Sequence, residues 1–149
     1  MAAGDSKVFN DFMLKLGDGT YDLGADAFAI GFVADTYAAV DEDATNPNIS
    51  GFTPLTGGNF VAATTLTSVT WTRAAAVGKF DFADLATILK DASNPTTIRT
   101  ALIKHTATGD LYKAIDLTAD APTYTPIDVV NNDFDYAVNA SGSSTITVV

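Results

Sequence analysis

His105 is the only imidazole in the 149 residues, and there is no cysteine. Nucleophilic catalysis of the Ser-His-Asp kind therefore has a single candidate base. That base sits beside Lys104 in a run, Thr97 to Thr106, that reads as a strand. No Gly-x-Ser-x-Gly elbow presents a nucleophile, and no Gly-x-x-x-x-Gly-Lys-Ser/Thr or Gly-x-Gly-x-x-Gly loop could cradle a phosphate. Gly57-Gly58 reads as a turn. Without thiols there is no disulfide, Cys nucleophile or thiolate metal site, and one histidine excludes a multi-His site within one chain. Carboxylate pairs do occur, at Asp41/Asp43, Asp81/Asp84 and Asp133/Asp135. Two carboxyls at a fixed separation are glycosidase machinery, but sugar clefts supply several stacking aromatics and Trp71 is the sole Trp. Calcium needs only oxygen ligands, and Asn131-Asn132-Asp133-Phe134-Asp135 and Asp41-Glu42-Asp43 are where it would bind. Neither follows the twelve-residue Asp-x-Asp-x-Asp-Gly loop closed by Glu. The residues predict no enzyme, no cofactor and no metal.

Composition narrows the partners. Eighteen acidic residues against eight basic ones give a formal charge of −10. Lys7, Lys15, Arg73, Lys79, Lys90, Arg99, Lys104 and Lys113 are scattered singly, so neither a nucleic acid nor an anionic membrane surface is an expected partner. No apolar run approaches the ~18–20 residues of a membrane span, and Met1 to Lys7 lacks the apolar core of a secretory signal. Seventeen of the eighteen acids are Asp, which favours turns and caps, and the twenty-one Thr favour strands. Hydrophobic residues at 47% and charged ones at 17% suit a folded core.

The elements follow from periodicity. Val8, Phe9, Phe12, Met13 and Leu16 form one face of an amphipathic helix over Ser6 to Leu16, with Asp5 or Ser6 as N-cap and Gly17 just past its end. Leu14 falls off that stripe. Ala27 to Ala34 alternates Phe28, Ile30 and Phe32 with small residues, as a strand does. The run 35–56 loses all periodicity and predicts a long loop, of the kind that is functional or ordered by a partner. Asn59 to Thr72 reads as a strand bulged near Ser68, Ala74 to Gly78 as a small-residue connection, and Phe80-Asp81-Phe82 as a strand. A short helix is predicted near 83–92. Thr97 to Thr106 and Leu111 to Thr118 flank Ala107-Thr108-Gly109-Asp110 as a hairpin. Phe134 to Asn139 and Ser144 to Val149 close the chain around the turn Ala140 to Ser143, and the last strand leaves an edge that another subunit could pair. The fold class is mainly β: a single domain over 1–149, an antiparallel β-sandwich or barrel-like, with its N-terminal helix and turn in 1–19.

In this order the segments resemble a family of small β-rich virion structural proteins of tailed bacteriophages. The resemblance lies in Phe9-Asn10-Asp11-Phe12 through Gly17-Asp18-Gly19, Tyr21-Asp22-Leu23 leading to Ala27–Ala34 and Asp35-Thr36-Tyr37, and Ile49-Ser50-Gly51-Phe52 through Gly57-Gly58. It continues in Thr97–Ile103, Ala114–Leu117 and the closing Asn-Ala-Ser-Gly at 139–142. The chain departs from it by lacking Gly-Tyr in the middle motif and by the segment Ala83 to Pro95. The resemblance implies a virion component made in the host cytoplasm: a capsid decoration (cement) protein on the outside of the head. A tail or head–tail connector part is the alternative, as is a receptor-binding module on a fibre. The implied partners are the major capsid protein, further copies of this chain, or both, in a symmetric assembly. Candidate contact residues are Val8, Phe9 and Phe12 at the N-terminal helix and Tyr37, Phe52 and Pro54 in the long loop. For the receptor-binding alternative, the aromatics Phe52, Tyr37 and Tyr124 are the candidates.

Overall fold

Phe28, Ile30 and Phe32 alternate with Ala29, Gly31 and Val33 along one strand, and both sets are buried. A strand covered on both faces belongs inside a sheet, and the computed structural model places it there. The structure describes residues 5–74, 77–118, 122–138 and 144–148. In chain order the elements are β1 (Ser6–Val8), α1 (Asn10–Gly17), β2 (Phe28–Val33), β3 (Thr64–Thr65), β4 (Thr70–Ala74), β5 (Val77–Asp81), β6 (Thr100–His105), β7 (Leu111–Asp116), β8 (Phe134–Val138) and β9 (Ser144–Val148). A five-stranded antiparallel sheet runs in the order β1-β7-β6-β2-β3, and β4-β5 and β8-β9 form two separate ribbons. The mainly antiparallel β class is as the sequence predicts, and among the described residues no barrel closes.

Register sets what each face carries. Phe28, Ile30 and Phe32 lie beside His105, Ile103 and Ala101 of β6. On this face Phe28 meets Phe12 of α1, Phe80 of β5 and Tyr112 of β7, with ring centroids 6.1, 5.3 and 6.1 Å away. Phe32 meets Phe134 of β8 edge-on at 5.5 Å. The helix and both ribbons therefore share one aromatic core laid on the sheet. On the other face Gly31 is required to be small: a Cβ there would stand 2.9 Å from the Ala62 carbonyl oxygen.

Several elements differ from the sequence expectation. The helix occupies Asn10–Gly17 because Ser6–Val8 pairs with β7, Ser6 opposite Ile115 and Val8 opposite Lys113. A ladder formed with a distant strand outweighs the local helical period. Neither Asp5 nor Ser6 caps the helix; Phe9 holds the N-cap position with no side-chain bond, and Gly19, at φ +79°, takes the left-handed turn after it. No helix forms over 83–92. Leu85 N–H donates to the Tyr136 carbonyl (3.1 Å), and Ile88 and Phe134 exchange two backbone bonds (3.0 and 2.9 Å). The segment is thus extended against β8, and the spacing of Leu85 and Ile88 does not reflect a helix. The strand expected over 59–72 is two, β3 and β4, parted near Ser68, which has φ +53°.

The hairpin β6–β7 and the pairing of β8 with β9 are as expected, with a bulge between Ile103 and Lys104. The turn 140–143, residues 75–76 of the small-residue connection and the first four residues lie outside the described residues. The long loop 35–56 contains 3-10 turns at Tyr37–Ala39 and Ile49–Gly51, and the chain's own contacts order it. Asn10 N–H donates to Glu42 O (3.0 Å), Lys7 pairs with Glu42 (2.8 Å) and also donates to Val40 O, and Leu55 N–H donates to Phe32 O (2.8 Å).

Lys113 is an exception to the apolar pairing. It lies opposite Ile103 and Val8 in register, and its burial holds its ammonium below the usual lysine range. A depressed lysine costs stability while it is protonated in the fold, a cost relieved only as pH rises from its folded value to its unfolded one near ~10.4, so at neutral pH Lys113 costs stability. Lys113→Met should stabilise the protein by about 0.5–2 kcal/mol. Urea midpoints of the two proteins check this, and an unchanged or lower midpoint for the variant contradicts it.

Candidate functional site

The β6–β7 turn brings the chain's one histidine among acids and hydroxyls. His105 Nδ1 lies 3.0 Å from Thr108 Oγ1 and accepts from Thr108 N–H (3.3 Å), while Nε2 stands 3.7 Å from Asp26 Oδ2. An acid, an imidazole and a hydroxyl in sequence invite comparison with a nucleophilic triad. The hydroxyl is already shared, since Tyr21 OH lies 3.2 Å from it and Asp110 N–H donates to it (3.3 Å). The imidazole also packs on Tyr21, with ring centroids 4.6 Å apart. The arrangement clasps a turn, and the acid stands beyond hydrogen-bond distance.

Asp110 is the hub of this cluster. Its Oδ2 accepts from Lys15 Nζ of α1 (2.7 Å) and from Tyr21 OH, and its Oδ1 accepts from Asn48 Nδ2 of the long loop (3.0 Å). Lys15 also pairs with Asp11 one helical turn back (3.0 Å). One carboxylate therefore ties helix, turn and loop together. Burial pushes the Asp110 carboxyl up, but the bonds from Lys15, Tyr21 and Asn48 outweigh it and hold it below the usual carboxylate range. The same pairing, led by the Asp110 bond, raises Lys15. A lowered carboxylate stabilises above its unfolded value near ~3.9 and loses that as pH falls through its folded value; a raised lysine stabilises below ~10.4 and loses it as pH rises beyond. The clasp is thus complete between those limits. Asp110→Ala, which leaves Lys15 with Asp11 alone and Tyr21 with Thr108 alone, should cost about 1–3 kcal/mol and flatten the acid limb of the stability–pH curve. Urea unfolding at pH values near ~3 and ~7 reads both effects, and an acid limb as steep as the parent's contradicts the assignment.

The carboxylate pairs singled out in the sequence hold backbone and neighbours. Asp41 Oδ1 accepts from Asp43 N–H (3.0 Å), and Asp43 from Asn10. Asp81 pairs with Lys79, and Asp84 Oδ1 accepts from Val138 N–H (2.8 Å). Asp133 Oδ1 accepts from Lys90 N–H (2.8 Å), and Asp135 Oδ1 from Thr87 Oγ1 (2.5 Å). Among the described residues no three His, Cys, Asp or Glu side chains gather as a metal centre. Asp116 is fully buried; its Oδ1 accepts from Thr118 N–H and Oγ1 (2.9 and 2.7 Å), and its Oδ2 has no hydrogen-bond partner among the described residues.

The candidate contact residues separate into two groups. Phe9 and Phe12 are each 1% exposed and belong to the chain's own core, where Phe12 stacks on Tyr21 at 4.8 Å. Tyr37 is buried under Lys7, whose ammonium stands 4.7 Å from the ring centre, and burial pushes its hydroxyl up to about 12. Val8, Phe52 and Pro54 are half-buried, and Phe9 and Phe52 line one cleft of about 380 Å³ under the long loop. Tyr124 is buried, so of the three aromatics considered for a receptor site only Phe52 retains substantial exposure.

Sequence reasoning set Leu14 off the buried stripe, where it is exposed, and missed Met13 and Trp71. Met13, Leu14 and Trp71 are 50%, 72% and 48% exposed. With Phe9 at the cap, Phe12 and Leu16 face the sheet, and Met13, about 100° further round, is left outside. Met13, Leu16, Tyr21, Leu23 and Trp71 line a groove of about 490 Å³ between α1, the turn after it and β4. The sole Trp, falling in a Thr-rich strand, is the one signal in the sequence that marks this place.

Among the described residues no helix is long and apolar enough to cross a membrane. Compared with known proteins, the chain matches no family model, no curated protein and no solved structure.

Proposed function

We propose that this chain is a structural component of a tailed-phage virion, a decoration protein that stabilises the head by contacts with major capsid subunits. One observation carries the contact role: its chemically capable side chains are engaged internally, while large apolar ones stand outside. His105, Lys15 and Asp110 fasten helix, turn and loop to each other, whereas Met13, Leu14, Trp71, Val61 and Leu89 are about half exposed or more. Met13 and Trp71 line one groove and Val61 and Leu89 another, and apolar side chains presented together mark interaction surfaces. The virion assignment comes from the resemblance of the motifs. A standard protein interface buries about 1,200–2,000 Å² in total, so firm attachment to a shell calls for several neighbours around each copy. Packaged DNA strains a shell outward, and bridges across subunit boundaries resist that strain.

Particles assembled without this protein should release DNA at a lower temperature than complete ones, and adding the purified protein back should restore the difference. Dye-detected DNA release during a thermal ramp measures it. Identical release curves with and without the protein contradict the proposal.

A further inference from the structure

The groove between α1 and β4 combines apolar walls with an acidic rim, on which Lys15 acts only at a distance: its charge helps to lower Asp18 and its ammonium stands 5.9 Å from the centre of the Tyr21 ring. Met13, Leu16, Leu23 and Trp71 supply the walls, and Asp22 lies in the lining. Asp18, the C-cap of α1, stands at the same end, and its bonds from Thr20 hold its carboxyl ionised below the usual range. The nearby cation Lys15 is committed to Asp11 and Asp110, and no ion pair among the described residues includes Asp18 or Asp22. The apolar side chains gain by leaving water, while the two carboxylates repel any acidic visitor and attract a basic one. A second copy is a poor occupant. It brings a charge of −10 and would set its own acids against these.

We propose that this groove receives an extended segment of a partner protein in which an apolar anchor is flanked by lysine or arginine. This deepens, and rests on, the reading of the chain as a contact protein. The anchor fills the space beside Trp71, and the flanking cations reach Asp18 and Asp22. Steering by those charges makes association fast and salt-sensitive, and the apolar anchor sets how long the segment stays.

Trp71 is the chain's only Trp and lines the groove, so its fluorescence reports occupancy directly. The probe is a blocked Lys-Leu-Lys-Phe-Leu-Lys peptide, which contains no Trp, titrated into the full chain. A saturable blue shift is expected. It should weaken at least about fivefold in the Asp18→Asn, Asp22→Asn double variant and between ~0.05 and ~0.5 M salt. It should vanish for Met13→Ser and for a peptide with Gly at its apolar positions. Circular dichroism of each variant confirms that these exposed sites leave the fold intact. No shift, an equal shift with Asp in place of Lys in the peptide, or undiminished binding to Met13→Ser overturns the proposal. So does a blue shift that follows protein concentration alone with a doubled mass in light scattering, which would assign the groove to a second copy. Virion attachment is scored separately, by sedimentation with shells. Peptide binding without shell attachment removes the virion reading and keeps the groove, and attachment without peptide binding does the reverse.

Discussion

Phe28→Ala should lower the unfolding free energy by about 3–5 kcal/mol, the largest effect expected from any single truncation in the core. Phe28, the first residue of β2, is fully buried and touches rings from four other places: Phe12 of α1, Phe80 of the β4–β5 ribbon, Tyr112 of β7 and His105 of β6. Removing it leaves a cavity lined by rings that pack on one another, Phe80 edge-on to Tyr112 and Phe12 stacked on Tyr21, so little collapse can offset the lost contacts. A domain of this size has about 5–15 kcal/mol in total, so the variant would sit near the edge of folding. Phe28→Leu, which retains most of the volume, should lose less and remain measurable. Urea denaturation of both gives the ordering, and a loss below about 1 kcal/mol for Phe28→Ala would show that the ribbons do not pack on the sheet through this residue.

Asn94→Ala should cost roughly 2–4 kcal/mol, more than its size suggests, because it strands buried backbone groups. Asn94 is 4% exposed; its Oδ1 accepts from Asn59 N–H (2.8 Å), and its Nδ2 donates to the carbonyls of Leu89 (3.0 Å) and Val129 (2.8 Å). One amide thus joins the turn before β3, the extended 83–92 segment and the approach to β8. Gly58 is part of the same fit. At φ +54° it is in the left-handed region, and a Cβ there would press on Asn94 Oδ1 and N. Asn94→Asp keeps the acceptor for Asn59 but turns a buried carboxylate oxygen onto the Leu89 and Val129 carbonyls, so at neutral pH it should cost at least as much as Asn94→Ala. Hydrogen exchange should show the loss locally, with faster exchange at Asn59 and Phe134 in Asn94→Ala. Unchanged protection at both would contradict the hub.

What could be read in advance depended on how local each signal was. β2 and the β6–β7 hairpin carry period-two patterns bounded by turn residues, and both formed where the pattern ended. The start of α1 was not legible, since Ser6 to Val8 fits the helical stripe and is drawn away only by a strand that comes far later in the chain. The segment 83–92 misled for the same reason: Leu85 and Ile88 match a helical spacing, and β8 recruits their backbone instead. Asn94 reads in sequence as a helix stop before Pro95, and its three bonds exist only once Asn59, Leu89 and Val129 are brought together. The contact surface was hidden because the expected apolar stripe holds both Phe12 and Met13: Phe9 and Phe12 are buried in the chain's own core, while Met13 is left in solvent and lines a groove with Trp71.

Counting copies in purified virions tests the account most directly. Quantitative mass spectrometry against the major capsid protein should find this chain at hundreds of copies per particle, as a shell-wide decoration requires. Its absence from washed particles, or a content of only a few tens, would contradict the assignment to the head.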